Sequence, residues 1–217
     1  MKPKIKIYMN LFKLVITNIK NYGIFQTLIL IIYETIYSLH IQYNKHVFFD
    51  ESVSDKYIFS KKNKIYNSPY VPTPIYFLKI ILSFLKNYNL KKFTFIDFGS
   101  GAGRTLYFFK NKFKNLYGIE FNKNYSKFYK KKQFLHMDLR KKNNFNNLRK
   151  KNNFFVLFFF DPFEQNLVEK IVSKFNDKKY IIILINYKKI KKKYGKNLLS
   201  KEFANKNRNI RIYSNLN

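Results

Sequence analysis

A glycine-rich turn follows an acidic residue at the end of an apolar run. The run from Phe93 to Asp97 alternates apolar and polar residues, and Gly99, Gly101 and Gly103 come after it. The alternation predicts a strand. Because glycine has no Cβ, the backbone can bend sharply after this strand and a ligand can lie against it. A loop of this kind at the carboxyl end of a strand is where open α/β sheets bind nucleotides.

The spacing of the glycines separates two classes of nucleotide. A dinucleotide fingerprint, G-x-G-x-x-G, would place its third glycine at position 104, where this chain has Arg104. No G-x-x-x-x-G-K-[ST] sequence is present, so a P-loop is also excluded. The remaining pattern is D-x-G-x-G-x-G after a strand, with a structural turn or an aberrant Rossmann loop as the alternatives.

Carboxylates are scarce around this turn, and their positions follow a rule. Residues 91 to 163 contain seventeen Lys and Arg but only four acids, each at the end of an apolar run: Asp97, Glu120, Asp138 and Asp161. Strands separated by helices are usually parallel, and their carboxyl ends then lie along one edge of the sheet. We therefore predict that the four acids line one rim.

Each acid suits one part of a cationic adenosine derivative. Glu120 lies one strand-helix-strand unit after Asp97, where a carboxylate can accept hydrogen bonds from the two hydroxyls of a ribose. Asp138 could accept a hydrogen bond from the exocyclic amine of adenine, with Met137 or Leu139 against the ring. Asp97 would favour a positively charged end of the ligand. The alternative for each acid is a cap on the following helix.

A fourth strand ends in Asp161, Pro162 and Phe163. Phe154 to Phe160 is apolar throughout, which is typical of a central parallel strand. The proline ends the strand and leaves an acidic side chain beside an aromatic one.

The elements that must position these residues alternate along the chain. Apolar spacing predicts helices over Ile75–Tyr88, Thr105–Phe113 and Glu164–Phe175, and strands at Tyr180–Tyr187 and, as a last edge strand, Asn209–Ser214. Before the first of these helices, three prolines stiffen residues 67 to 74. This segment, which contains Tyr70, could close over a ligand or could be a plain connector.

Two further helices are predicted near the amino terminus, at Leu11–Lys20 and Ile24–Leu39, separated by Gly23. Gln26 and Glu34 interrupt the second, so its apolar core falls short of the roughly twenty residues that a spanning helix needs. We expect a helix pair packed on the domain or on a membrane surface, in a cytoplasmic protein without a cleaved signal peptide.

The composition limits the remaining classes of site. Cysteine is absent, which excludes disulfides and thiolate chemistry, and His40, His46 and His136 are scattered, so no metal site is predicted. The formal charge is +31, from 43 Lys and Arg against 12 Asp and Glu. Such a charge predicts nonspecific contact with nucleic acid or anionic membrane. Drift toward residues with A/T-rich codons is the alternative source of that charge.

The glycine motif resembles motif I of the class I S-adenosylmethionine-dependent methyltransferases, and Asp161-Pro162-Phe163 resembles motif IV of amino-methyltransferases, one residue short. The whole order, over roughly residues 20 to 187, is similar to a small bacterial-type family of uncharacterised class I methyltransferases. The matching positions are Gly23, Tyr70 to Thr73, Phe95 to Arg104, Tyr117 to Glu120, Asp138, and Asp161 to Phe163. Ala102 stands where that family commonly has lysine, and Asp161 where it commonly has asparagine.

The resemblance implies a Rossmann-like α/β fold with a mostly parallel sheet flanked by helices, S-adenosyl-L-methionine as cofactor, and methyl transfer to an unidentified acceptor. An N-terminal helical extension with its connector would occupy residues 1–66 and the methyltransferase domain residues 67–217. The implied cofactor-binding residues are Asp97, Gly99, Ser100, Gly101, Gly103, Arg104, Glu120, Asp138 and Tyr70. The implied acceptor residues are Asp161, Pro162 and Phe163, and a negative Asp161 would favour an amino acceptor.

Two alternatives stay open at the level of sequence. One is a nicotinamide-dependent oxidoreductase, which Arg104 disfavours because it stands where the dinucleotide fingerprint needs its third glycine. The other is a non-catalytic nucleic-acid or membrane-binding module on the same fold.

Overall fold

The computed structural model describes residues 15–42, 73–128, 132–141, 145–160, 163–188, 190–203 and 208–216. Three residues of the predicted site, Tyr70, Asp161 and Pro162, lie outside these ranges.

A central sheet of seven strands organises the described part of the chain. The strands are β1 (Thr94–Phe98), β2 (Asn115–Glu120), β3 (Phe134–His136), β4 (Phe154–Phe160), β5 (Lys179–Ile185), β6 (Lys196–Glu202) and β7 (Asn209–Ser214). Their spatial order is β3-β2-β1-β4-β5-β7-β6. The first five are parallel to one another, and β7 runs antiparallel to both β5 and β6. The predicted fold class, an α/β fold with a mostly parallel sheet, is confirmed.

Helices cover both faces of this sheet. They are α1 (residues 15–22), α2 (Ile24–Gln42), α3 (Ile75–Leu85), α4 (Arg104–Phe108), α5 (Asn146–Arg149) and α6 (Gln165–Ser173). Short 3-10 helices lie at Leu90–Lys92, Lys123–Phe128 and Lys192–Tyr194.

Side chains alternate along each strand between two apolar cores. In β4, Val156 and Phe158 join the core beneath α1 to α4, whereas Leu157 and Phe159 join the core beneath α5 and α6. Because both faces are buried, the central strands are apolar at nearly every position instead of alternating with polar residues. This explains why Phe154–Phe160 and Tyr180–Ile185 could be recognised in the sequence as buried strands.

The two antiparallel strands correct one prediction. Asn209–Ser214 was expected to be an edge strand, but it pairs with β5 on one side and β6 on the other, and all six of its residues are buried. The edge is formed by β6, which the sequence pattern did not predict. Most residues of β6 are exposed and two are lysines. Lysines are common on edge strands because they oppose pairing with another chain, but they also weaken the strand pattern.

The helix after the glycine turn is shorter than predicted. α4 ends at Phe108 instead of Phe113, and the chain then passes through turns that include Asn111 in the left-handed region at φ 64°. Leu106, Phe109 and Phe113 are nevertheless buried in the core beneath α1 to α4, as their apolar spacing indicated.

The amino-terminal helices pack on the domain. Gly23, at φ 83°, separates α1 from α2, and α2 lies against α3. The rings of Phe77 and Phe203 stack on each other, and the Tyr22 ring makes an edge contact with each of them. Within the residues that the structure describes, no helix is long and apolar enough to cross a membrane. The boundary between extension and domain near residue 66 stays a prediction.

Candidate functional site

The order in which the chain adds strands to the sheet reverses between β1 and β4. From β1 the chain proceeds to β2 and β3 on one side, and then returns to place β4 and β5 on the other side. Leu106 of α4, which follows β1, packs into one core, and Val168 of α6, which follows β4, packs into the opposite core. The two connections therefore diverge and leave a crevice at the carboxyl ends of these strands. Open α/β sheets bind their ligands at such a switch point.

The glycine turn lies at this crevice in a conformation that favours glycine. Gly99, Gly101 and Gly103 have φ values of 78°, 50° and 81°, all in the left-handed region. The backbone N–H groups of Gly99 and Ser100 donate to the carbonyl oxygen of Ile119, at 2.8 and 3.2 Å. These two bonds attach the turn to β2, so the turn and the end of β2 form one unit.

Asp97 is buried beside the turn, with 2% of its surface exposed. Burial raises the pKa of its carboxyl to about 8, and the negative charge of Glu120 adds to this, while a hydrogen bond with the Thr105 side chain acts in the opposite direction. In the ligand-free chain near neutral pH, Asp97 is therefore largely protonated. A cation placed next to it would favour the carboxylate form and would be held by it.

Glu120, at the end of β2, is fixed by backbone donors. Its Oε2 accepts a hydrogen bond from the N–H of Gly101 at 2.9 Å, and its Oε1 accepts one from the N–H of Asn122 at 2.8 Å. Burial raises the pKa of Glu120, and these bonds, with one to the backbone of Phe121, oppose the shift. A carboxylate has about four acceptor positions, so the group is oriented by the protein and can still accept a hydroxyl.

Asp138 lies two residues beyond β3, on the same edge of the sheet. Its carboxylate accepts from Arg140 Nε at 2.7 Å and from Arg140 Nη2 at 2.9 Å. This ion pair holds the pKa of Asp138 below its usual range. The predicted adenine acceptor thus already has a cationic partner, and the sequence pattern did not indicate that partner.

An exposed aromatic ring next to these groups was also missed. Phe121 follows Glu120 and is 43% exposed, with the guanidinium of Arg140 5.2 Å from its ring centroid and the His136 ring 6.4 Å away. The signal in the sequence was an aromatic residue directly after a strand-end acid. Such a ring offers a flat apolar face at the ends of β2 and β3.

A small cleft brings four of the predicted cofactor residues together. Its volume is about 240 Å³, including space open to solvent at its mouth. It is lined by Thr73, Asp97, Gly99, Ser100, Arg104, Thr105 and Phe160. Phe160 is the last residue of β4 and Thr73 precedes α3, so the cleft lies at the switch point. Glu120 is bonded to Gly101, which directly follows Ser100 of the cleft wall, whereas Asp138 lies farther along the rim, beyond β3.

Arg104 has a partner that the sequence analysis did not assign. Its guanidinium, in a residue only 4% exposed, pairs with the carboxylate of Glu34 in α2 and lies over the ring of Tyr37, 5.5 Å from the centroid. Glu34 also accepts a hydrogen bond from the N–H of Ile75, at the start of α3, at 2.8 Å. One carboxylate thus joins α2, α3 and the end of the glycine turn. In the sequence, the one sign of this contact is that Glu34 is a single acid within an apolar helix.

Of the predicted acceptor residues, the structure describes Phe163. Its backbone N–H donates to the hydroxyl of Tyr187 at 3.1 Å, and its side chain packs against the core beneath α5 and α6. Asp161 and Pro162 lie outside the described residues, and Tyr70 does as well, so their assignments stay predictions.

No protein-family model and no curated protein matches the sequence. Among solved structures, the chain is similar to an RNA methyltransferase from Salinibacter ruber in complex with S-adenosyl-L-homocysteine, with 13% identity and a TM-score of 0.46 over 66% of this chain and 93% of that chain. It is also similar to a SAM-dependent methyltransferase from Aquifex aeolicus, with 13% identity and a TM-score of 0.45 over 77% of this chain and 98% of that chain.

A third similar structure is the magnesium protoporphyrin IX methyltransferase from Synechocystis with bound SAM, with 14% identity and a TM-score of 0.45 over 77% of this chain and 97% of that chain. All three TM-scores are below 0.5. The assignment of the fold therefore relies on the strand order of the sheet. The inferred chemistry relies on the residues at its switch point.

Proposed function

We propose that the chain is an S-adenosylmethionine-dependent methyltransferase. The observation that carries the proposal is the junction of the glycine turn with two acids, Asp97 buried beneath it and Glu120 bonded to Gly101, at the point where the sheet reverses. These groups fit a ligand that combines a positive charge with a ribose.

Charge distinguishes this ligand from a dinucleotide. A dinucleotide places a pyrophosphate, with its negative charges, against the glycine turn. Here that turn has Asp97 beneath it and Glu120 against Gly101. An anion would keep these acids protonated and would gain no attraction from them, whereas a cation would favour their carboxylate forms. The sulfonium and ammonium groups of S-adenosylmethionine have the complementary sign.

Each residue of the site would contact a different part of the cofactor. Asp97 would hold the cationic methionine end, Glu120 the ribose hydroxyls, and Phe121 or Asp138 would lie near the adenine. The glycines, with Ser100, let the ligand approach the backbone, and Arg104 forms part of the wall. When bound, the cofactor supplies an electrophilic methyl group, so the protein's task is to place an acceptor in line with it.

The acceptor would bind at the end of β4, next to Phe160 on the cleft wall. We assign its orientation to Asp161, Pro162 and Phe163, as in the motif that these residues resemble. An acidic Asp161 would favour an amino acceptor and could take up a proton from it.

Calorimetric titration of the full chain tests the cofactor. We expect S-adenosylhomocysteine and S-adenosylmethionine to bind and NADH not to bind. Gly101→Val should abolish binding, because a β-branched side chain at φ 50° is strained and would occupy the space that the ligand needs. Asp97→Ala should abolish it by removing the buried acid. Micromolar affinity in both variants would refute this placement, and heat released with NADH alone would favour the oxidoreductase.

Glu120 gives a graded test of the same site. Glu120→Gln retains the size of the side chain but removes its charge and one acceptor, so we expect about 10- to 100-fold weaker binding of S-adenosylhomocysteine. Glu164→Gln is the matched control, because Glu164 is exposed on the chain before α6. An unchanged affinity in Glu120→Gln, or an equal loss in the control, would contradict the assignment to the ribose.

A further inference from the structure

The outer face of α2 carries large apolar side chains where a surface helix normally carries polar ones. Six such residues are exposed: Ile24, Phe25, Leu28, Ile31, Ile32 and Ile36. At about 100° of rotation per residue they fall within one arc of about 140°. The opposite side, with Thr27 and Leu30, is buried against the domain. We call the six residues the outer face of α2.

This outer face is also uncharged. Glu34 is the only Asp, Glu, Lys or Arg in α2, and its carboxylate points inward to Arg104 and to the N–H of Ile75. Phe25 is 72% exposed and Ile24 is 66% exposed. Apolar residues on a monomer's surface are normally scattered, and a contiguous set of this kind marks an interaction site.

Cations flank the outer face. The ammonium of Lys79 lies 4.5 Å from the centroid of the Tyr33 ring of α2. Lys201 lies 5.4 Å from the Tyr76 ring, which itself contacts Tyr33 at 5.7 Å. Lys20 is exposed on α1, the helix that precedes α2.

Two described acids close to these cations in the fold are already paired with other residues. Glu34 is paired with Arg104, and Glu202 is paired with Arg211 at 2.9 Å. An uncharged apolar face bordered by lysines fits a bilayer that contains anionic lipid, because the apolar side chains can enter the acyl boundary while each lysine near the surface interacts with headgroups.

We propose that the outer face of α2 docks this chain on an anionic lipid surface, with the helix lying in the plane of the interface. A helix of 19 residues is about 28 Å long, and its inner side is already engaged with α3, so it can lie on the surface as part of the folded domain. A second copy of this chain is the less suitable partner, because joining two outer faces would bring the same lysines together.

Vesicle flotation of the full chain tests the docking. Vesicles with about 30% phosphatidylglycerol in phosphatidylcholine should carry the chain upward, and pure phosphatidylcholine should bind at least tenfold less, as expected if both charge and insertion contribute. The double variant Phe25→Gln with Ile32→Gln should lower binding to the anionic vesicles at least tenfold, because it removes two inserting side chains. Its melting temperature should not fall, since both residues are exposed.

Leu198→Gln is the matched control, because Leu198 is an exposed apolar residue outside α2, on the edge strand β6. It should float like the wild type. Equal flotation of the double variant and the wild type would overturn the proposal, and so would equal binding to neutral and anionic vesicles. A dimer in light scattering that the double variant dissociates would assign the face to a second copy. These readouts need no cofactor, so failure here is distinct from failure of the proposed methyl transfer.

Discussion

At the residue scale, the site depends on acids held in places that disfavour their charge. Asp97 is buried beneath the turn and Glu120 is largely withdrawn from water, and burial raises the pKa of both. An acid kept in this state without a ligand is costly to ionise, and a cationic ligand removes that cost. Asp97 therefore links ligand charge, proton binding and stability, and its titration can be measured directly.

We predict that Asp97→Asn removes a pH-dependent part of the stability. The pKa of Asp97 is about 8 in the folded chain, against 3.8 for an unperturbed Asp. The folded state thus holds the proton more tightly, so this stabilisation is complete below about pH 4 and is lost as the pH rises through 8. Between pH 5 and pH 9 the melting temperature of the wild type should fall more than that of the variant.

Asp177→Asn serves as the control for this titration. Asp177 is exposed, and its hydrogen bond with Arg149 lowers its pKa, so its contribution changes only in acid. Urea denaturation at pH 5, 7 and 9 compares the three proteins. Parallel pH profiles for wild type and Asp97→Asn would show that Asp97 does not titrate in this range.

The sequence could place Asp97 and Glu120 on one rim because strand ends follow from the apolar pattern and from the parallel arrangement. It could not supply their partners. Arg140 is only two residues from Asp138 in the sequence. The sequence nevertheless contains many lysines and arginines, and the apolar pattern does not indicate which of them pairs with Asp138. Glu34 meets Arg104 across 70 positions, and a contact that distant depends on the packing of α2 on α3.

At the element scale, the contact of α2 with the glycine turn makes the amino-terminal helix part of the site's framework. α2 contributes Glu34, α3 contributes the N–H of Ile75, and α4 contributes Arg104. Arg104 directly follows Gly103, so the ion pair fixes the residue at which the turn becomes a helix. The predicted extension and the nucleotide-binding loop are therefore mechanically connected.

We predict that Glu34→Gln destabilises the chain by about 2–4 kcal/mol, because it leaves the buried Arg104 guanidinium without its carboxylate. Glutamine can still accept the Ile75 N–H, so the loss reports chiefly on the ion pair. Unfolding in urea provides the measurement. In a double-mutant cycle with Arg104→Gln, the double variant should lose less than the sum of the single variants. Additive losses would mean that the two side chains act independently.

The same scale shows why the prediction of Asn209–Ser214 as an edge strand was wrong. Asn209–Ser214 alternates apolar and polar residues, as an edge strand does, but Arg211 is satisfied inside the protein by Glu202 and by the carbonyl oxygen of Tyr187. A strand with a buried arginine is therefore compatible with a central position. Its insertion between β5 and β6 is a long-range pairing that residue patterns cannot predict.

At the scale of the whole molecule, the charge of +31 is distributed through the chain, while the acids of the described site are buried or paired. The surface is therefore strongly positive although the site favours a cation. This separation suggests two kinds of binding with different signatures: a small ligand held by buried acids, and polyanions attracted by surface lysines. Salt screens the second far more than the first.

We predict that the full chain binds single-stranded RNA and DNA without sequence preference, and that raising the salt from 50 to 200 mM weakens this binding about 10³-fold or more, as release of counterions from several phosphate contacts requires. Binding of S-adenosylhomocysteine should change little over the same range, since Asp97 and Glu120 are largely removed from solvent. Fluorescence anisotropy measures the binding of nucleic acid, and calorimetry measures the binding of S-adenosylhomocysteine.

Gly101→Val should leave RNA binding intact, because the turn is buried and carries no cation. A preference for one sequence that persists at 200 mM salt, and that Gly101→Val abolishes, would instead identify RNA as a ligand of the cleft.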